Sequence, residues 1–136
     1  FFDLSINKQR LTMSRTESEL APTFIVAPKI KEEDDGNRLV IECELNAIPQ
    51  PEVVWYKDEQ IVPDGHEFRI WYGVFPTDLP HHYVFTLDLN DVYETDAGLY
   101  RIYAKNLMGD VSASIRLNFT RKSNRKPINI SKSFSK

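Results

Sequence analysis

Asp96-Ala97-Gly98-Leu99-Tyr100-Arg101-Ile102-Tyr103-Ala104-Lys105-Asn106 decides the fold. Asp96 and Gly98 supply turn residues, after which Tyr100, Ile102 and Ala104 alternate with Arg101, Tyr103 and Lys105. Period-two alternation places one set on an apolar face and the other on a wetter one, so the stretch reads as a half-buried β-strand entered from a tight corner. A tyrosine at the start of such a strand, two positions before a residue facing a second sheet, marks a tyrosine corner. There the phenol OH ties back to backbone across the corner of a two-sheet sandwich. The position two after Tyr100 is Ile102.

Upstream, Leu39, Ile41, Cys43 and Leu45 alternate with Val40, Glu42 and Glu44, a strand with Cys43 toward the core. Ala47-Ile48-Pro49-Gln50-Pro51 is a proline-set connection into Val53-Val54-Trp55-Tyr56-Lys57. Burying an indole fully stabilises by about 4 to 6 kcal/mol as an upper bound. That offsets much of a missing disulfide, worth about 2 to 5 kcal/mol. Asp58 and Glu59 turn the chain into a short strand around Ile61, and Val92 is a core anchor. Phe68–Tyr72 and Tyr83–Leu89 read as strands. The Gly73–His82 stretch between them reads as a loop longer than the roughly two to five residues of a usual hairpin.

Downstream, Asn106-Leu107-Met108-Gly109 turns into a last strand, in which Val111, Ala113, Ile115, Leu117 and Phe119 alternate with polar residues. At the other end Pro22 opens the domain and Thr23–Val26 reads as a strand. Proline cannot donate to a ladder, so Pro28 is expected to mark the point where this first strand switches sheets. With a charged turn at Glu32–Asn37, the pattern is all-β: two packed antiparallel sheets and no disulfide.

The 136 residues therefore divide into a linker at 1–20, a domain at 21–120 and a basic tail at 121–136. Ser14 and Glu17, or Thr16 and Glu19, have capping-box spacing for a short helix in the linker. Residues 21–120 hold eight Lys/Arg against seventeen Asp/Glu, a net of −9, while 121–136 hold six Lys/Arg and no acid. The serine-rich basic tail is expected to be disordered on its own. Starting at Phe1 reads as a piece of a longer chain. No apolar run approaches the roughly 18 residues of a membrane span, and no signal peptide is evident. Cys43 is the single cysteine, so no internal disulfide forms, which suits the cytosol.

Together, Pro22-Thr23-Phe24, Cys43, Pro49-x-Pro51, Trp55-Tyr56-Lys57-Asp58, Asp96-Ala97-Gly98-x-Tyr100 and Ala104-x-Asn106-x-x-Gly109 resemble the intermediate-set (I-set) immunoglobulin-like domains of giant muscle proteins, titin, twitchin and obscurin-like chains. The resemblance covers about residues 21–120. Two departures stand out: Ile102 where many members carry cysteine, and the length of Gly73–His82. The resemblance implies a non-enzymatic module, repeated in tandem, that spaces, anchors or bears force in the sarcomere. Cys43, Trp55, Asp96, Gly98, Tyr100 and Ile102 then carry structural roles. Pulling on the termini is expected to shear the first and last strands together.

No motif for a nucleophile, a phosphate loop or a Cys-x-x-Cys metal site is present, so neither enzymatic activity nor a cofactor is expected. Cys43 sits mid-strand on an apolar face, where desolvation suppresses the thiolate. His81, His82 and Asp78 lack the convergent spacing of a zinc site. Asn118-Phe119-Thr120 and Asn129-Ile130-Ser131 match the glycosylation acceptor pattern, without consequence in a cytosolic protein. Arg121–Lys126 has only Phe134 nearby, a poor nucleic-acid site, and reads as a linker in which Ser123 is a candidate kinase substrate.

Trp71, Tyr72, Val74, Phe75, His81 and His82 are the candidate partner-binding residues, because aromatic groups on loops of rigid scaffolds are enriched at interfaces. The expected partners are sarcomeric or cytoskeletal proteins or neighbouring domains, not nucleic acid or membrane. Two other functions fit less well: a regulatory segment whose flanks restrain a neighbouring kinase, and an extracellular adhesion domain, which Ile102 disfavours.

Overall fold

The computed structural model describes residues 18–119 and the backbone of Ile130–Ser135. Most of the expected linker, including its candidate helix caps, and the basic run Arg121–Lys126 with Ser123 lie outside the described residues. Among the described residues nine strands occur in chain order: β1 (Leu20–Glu33), β2 (Arg38–Ile48), β3 (Glu52–Lys57), β4 (Gln60–Ile61), β5 (Ile70–Pro76), β6 (His82–Asn90), β7 (Gly98–Asn106), β8 (Gly109–Phe119) and β9 (Ile130–Ser135). They form two antiparallel sheets, ordered β1-β2-β6-β5 and β4-β3-β7-β8-β9.

Alternation builds the core as the sequence implies. Leu39, Ile41, Cys43 and Leu45 on β2 and Leu87 and Leu89 on β6 meet Trp55, Ile102, Ala104, Ile115 and Leu117 of the other sheet, each at 1% exposure or less. The phenol of Tyr100, itself 1% exposed, donates to the Asp96 carbonyl at 2.6 Å, so the corner closes as the tyrosine predicts. Gly98 serves a close approach. A Cβ there would meet the Asp58 carboxylate at 2.7 Å, and that carboxylate accepts the Leu99 N–H at 2.9 Å. The glycine thus lets the β3–β4 turn lean on the start of β7 and seal a backbone donor.

Three sequence expectations are corrected. First, β1 does not change sheets at Pro28. It stays on β2 throughout and absorbs register shifts between Leu20 and Thr23, Phe24 and Val26, and Val26 and Lys29. A missing N–H at Pro28 is accommodated by a bulge, which costs one ladder bond rather than a strand crossing. Second, Phe68 is not in a strand. Glu67 and Phe68 turn with φ of 54° and 58°, and the Phe68 ring is 87% exposed. Third, Gly73–Pro76 belongs to β5, leaving only residues 77–81 as the connection to β6. Gly73 faces Thr86 across the ladder, where a Cβ would collide with the threonine hydroxyl. What reads as loop chemistry is thus a clearance that lets the strand run on.

The tail also contributes. Ile130–Ser135 pairs antiparallel with β8, registering Ile130 with Phe119, Lys132 with Leu117 and Phe134 with Ile115. This segment alternates apolar or long residues with serine, a strand pattern that its basic, serine-rich composition obscured. Among the described residues, β1 pairs only with β2, and β8 pairs with β7 and β9. The first strand and β8 therefore share no ladder to shear.

Candidate functional site

The candidate surface is β5, the last strand of its sheet. Its one-to-one register with β6, with Asn90 N–H donating to Arg69 O and Thr77 N–H to His82 O, turns the backbone groups of residues 71, 73 and 75 toward β6. Those of Ile70, Tyr72, Val74 and Pro76 then point to the open side. The first part of that edge is closed by the preceding turn. Gly65 N–H donates to Ile70 O, Ile70 N–H to His66 O, and Tyr72 N–H to an Asp64 carboxylate oxygen at 2.8 Å. Beyond it, Trp71, Val74 and Phe75 are 47%, 45% and 54% exposed, and Leu79 in the connection is exposed as well. The Trp71 ring rests on Gly65, and the Phe75 ring lies beside Gly73.

Tyr72 does not join this surface. Its side chain points inward, where the hydroxyl accepts the Trp55 N–H at 3.0 Å and donates to the Val62 carbonyl at 2.5 Å. Desolvation raises its pKa, keeping the donor in place. Tyr72 therefore fastens the free side of β5 to β3 of the opposite sheet. The histidines sit at the turn end of the β5–β6 hairpin rather than on β5. His81 sits at φ 64° and its carbonyl accepts the Ala47 N–H, while His82 pairs with Asn46 and is half-buried. Both shape the end of the β5–β6 hairpin.

An arginine the sequence did not single out organises the opposite end of β5. Arg69 donates to both Asp96 carboxylate oxygens at 3.1 Å and to the Asn90 and Asp91 carbonyls at 3.1 Å. Its guanidinium also lies 4.5 Å from the centroid of the Tyr93 ring. The hydrogen bond to Asp96 is the main cause that raises the arginine's pKa. Asp96 additionally accepts the Tyr93 N–H at 2.9 Å, so one carboxylate holds the turn Glu94–Asp96, while its backbone carbonyl takes the Tyr100 phenol. No spacing signal marks Arg69 in the sequence, because its partner lies 27 residues away.

Cys43 is fully buried, its thiol 3.9 Å from the Phe85 carbonyl oxygen. Desolvation first, then the charges of Glu42 and Glu44, push the thiol from 9.0 up to about 12. The raised native pKa means that this contribution to stability is whole below about pH 9 and is lost as the pH rises toward 12. The loss reaches on the order of 3 to 4 kcal/mol. Urea midpoints measured from pH 7 to pH 11 should fall more steeply for the wild type than for Cys43→Val. Parallel curves would remove the thiol as the cause.

Among the described residues, no group of three or more His, Cys, Asp or Glu is placed to hold a metal ion, and no helix is long and apolar enough to cross a membrane.

A family model of the immunoglobulin I-set domain matches residues 22–119. The chain is 29% identical over 104 residues to the muscle M-line assembly protein unc-89 of Caenorhabditis elegans, covering 76% of this chain and 1% of that protein. It is 29% identical over 137 residues to myotilin of Homo sapiens, covering 93% of this chain and 25% of that protein. The chain thus spans a quarter or less of the length of these relatives. Among solved structures, titin domain M4 in a trigonal crystal form superposes with a TM-score of 0.62 at 23% identity, covering 76% of this chain and all of that one. At that identity the likeness speaks for the fold.

Proposed function

The chain belongs to the immunoglobulin I-set family, and on that premise we propose that it is a non-enzymatic structural and protein-interaction module of a large sarcomeric or cytoskeletal protein, working inside the cell as an anchor or spacer. One observation carries the reading. The polar side chains of Arg69, Tyr72, Asp96 and Tyr100 are engaged in holding the sandwich, whereas Trp71, Val74 and Phe75 stand exposed along one uncharged strand edge. Apolar and aromatic groups concentrated on a rigid edge suit binding of another protein surface. The muscle relatives support the setting, and the absence of a disulfide supports a reducing compartment.

A fluorescently tagged copy of the chain expressed in striated muscle cells is expected to band with the contractile lattice. Replacing Trp71, Val74 and Phe75 together by alanine should disperse it while lowering Tm by only a few degrees, since all three are about half exposed. A diffuse wild-type signal, or an unchanged banding pattern in the triple variant, would overturn the proposal.

A further inference from the structure

All six tyrosines of the chain lie among the described residues, and five of them are built into the sheets. Tyr56 is paired on both sides in β3, Tyr83 in β6 and Tyr103 in β7, while Tyr72 and Tyr100 turn their hydroxyls onto backbone carbonyls. Tyr93 is the exception. It lies between β6 and β7 in extended backbone, φ −112° and ψ 159°, with 56% of its surface exposed. Three bonds tie this stretch down: Val92 N–H to the Asn37 carbonyl, Tyr93 N–H to the Asp96 carboxylate, and Asp96 N–H to the Tyr93 carbonyl. Presenting Tyr93 to the cleft of another protein therefore asks a turn to open, not a ladder.

The residues around it narrow the chemistry. Asp91 stands two positions before Tyr93, Glu94 one after and Asp96 three after, and residues 86–100 contain no Lys or Arg. An exposed phenol in an extended, acid-flanked stretch suits a tyrosine kinase whose substrate cleft is basic, since the two charge patterns are complementary.

The same turn is where a phosphate has the most to act on. The Arg69 guanidinium over the Tyr93 ring is already bonded to both Asp96 oxygens, to the Asn90 and Asp91 carbonyls and to Glu67. Lys57 donates to the Thr95 carbonyl. A phosphate on Tyr93, with a charge of about −1.5 to −2, adds to the negative charge of Asp91, Glu94 and Asp96 and competes with Asp96 for Arg69. Asp96 holds the turn Glu94–Asp96 and its carbonyl takes the Tyr100 phenol, so charge placed at Tyr93 acts on the corner of the sandwich.

We propose that Tyr93 is a phosphorylation site, at which an acid-directed tyrosine kinase loosens the Glu94–Asp96 turn and with it the domain. The phenol oxygen bonds to the γ-phosphorus of ATP as the bond from that phosphorus to the β-phosphate's bridging oxygen breaks. ADP departs, and the phenol proton passes to the kinase's catalytic base. The site is separate from the β5 edge, and its test is independent of the binding proposed there.

The full 136-residue chain, incubated with the catalytic domain of an acid-directed tyrosine kinase and magnesium ATP, should take up phosphate at Tyr93, located by peptide mass spectrometry. Tyr93→Phe, which keeps the ring beneath Arg69, should take up roughly ten-fold less or lower still. Melted at low ionic strength, the phosphorylated chain should unfold about 5 °C or more below the unmodified one. About 0.5 M salt should remove at least half of that shift by screening the added charge. A phosphate lying passively on the surface leaves Tm where it was. A chain that takes up no phosphate, one modified mainly at another tyrosine, or a phosphorylated chain whose Tm does not fall at low salt would each overturn the proposal.

Discussion

Arg69→Ala is expected to destabilise the domain by about 3 to 5 kcal/mol, as much as truncating a large core side chain. The arginine side chain is only 11% exposed and that of Asp96 8%, so removing the cation leaves a carboxylate largely shielded from water with half its partners gone. The same change frees the Asn90 and Asp91 carbonyls and uncovers the Tyr93 ring. Against a total stability of about 5 to 15 kcal/mol, such a loss is a large fraction of the whole. Replacing both partners by apolar residues, Arg69→Met with Asp96→Leu, should cost less than the two single changes added together, because no unpaired charge then remains. Urea unfolding of the four proteins measures the coupling, and strictly additive single losses would show that the two side chains do not act as a pair.

Trp55→Ala should cost a similar 3 to 5 kcal/mol by opening a cavity where the two sheets meet. The indole is 1% exposed, but its Nε1 is buried without a hydrogen-bond partner among the described residues. Burying that donor unpaired carries a penalty of about 1 to 3 kcal/mol, so part of what the ring gains by burial is already forfeited. Trp55→Phe should accordingly be much milder than Trp55→Ala, at about 1 to 2 kcal/mol, since it gives up area but relieves the stranded donor. Thermal melts of the two variants test the ordering. Equal losses would mean that the indole N–H is satisfied in solution.

The two residues differ in how far the sequence discloses them. Trp55 announces itself through its place in an apolar strand that follows a proline-set connection. Arg69 sits in a turn between Phe68 and Ile70, and nothing within a few positions indicates that it will meet Asp96. Local pattern carries burial, because alternation within one strand decides which face is wet. It does not carry pairing between charges far apart in the chain. Tyr72 shows the same limit: its period places it in a strand, but whether its hydroxyl meets solvent or the backbone of β3 depends on how the second sheet lies beneath it.

By itself, the sequence determined the two-sheet sandwich, the buried Cys43, Trp55 and Ile102, and the corner at Tyr100, since each follows from period-two alternation and turn chemistry acting within a few residues. Tertiary structure alone decided that Gly73–Pro76 is strand rather than loop, because the reason for the glycine is Thr86 on a neighbouring strand. It also decided that β1 stays on β2 through Pro28, that Ile130–Ser135 completes the second sheet, and which backbone groups of β5 remain open. These are matters of register between strands, set by pairing across space. The sequence of any single strand fixes its faces, and the open backbone at Val74 exists only once the neighbouring turn has closed the rest of that edge.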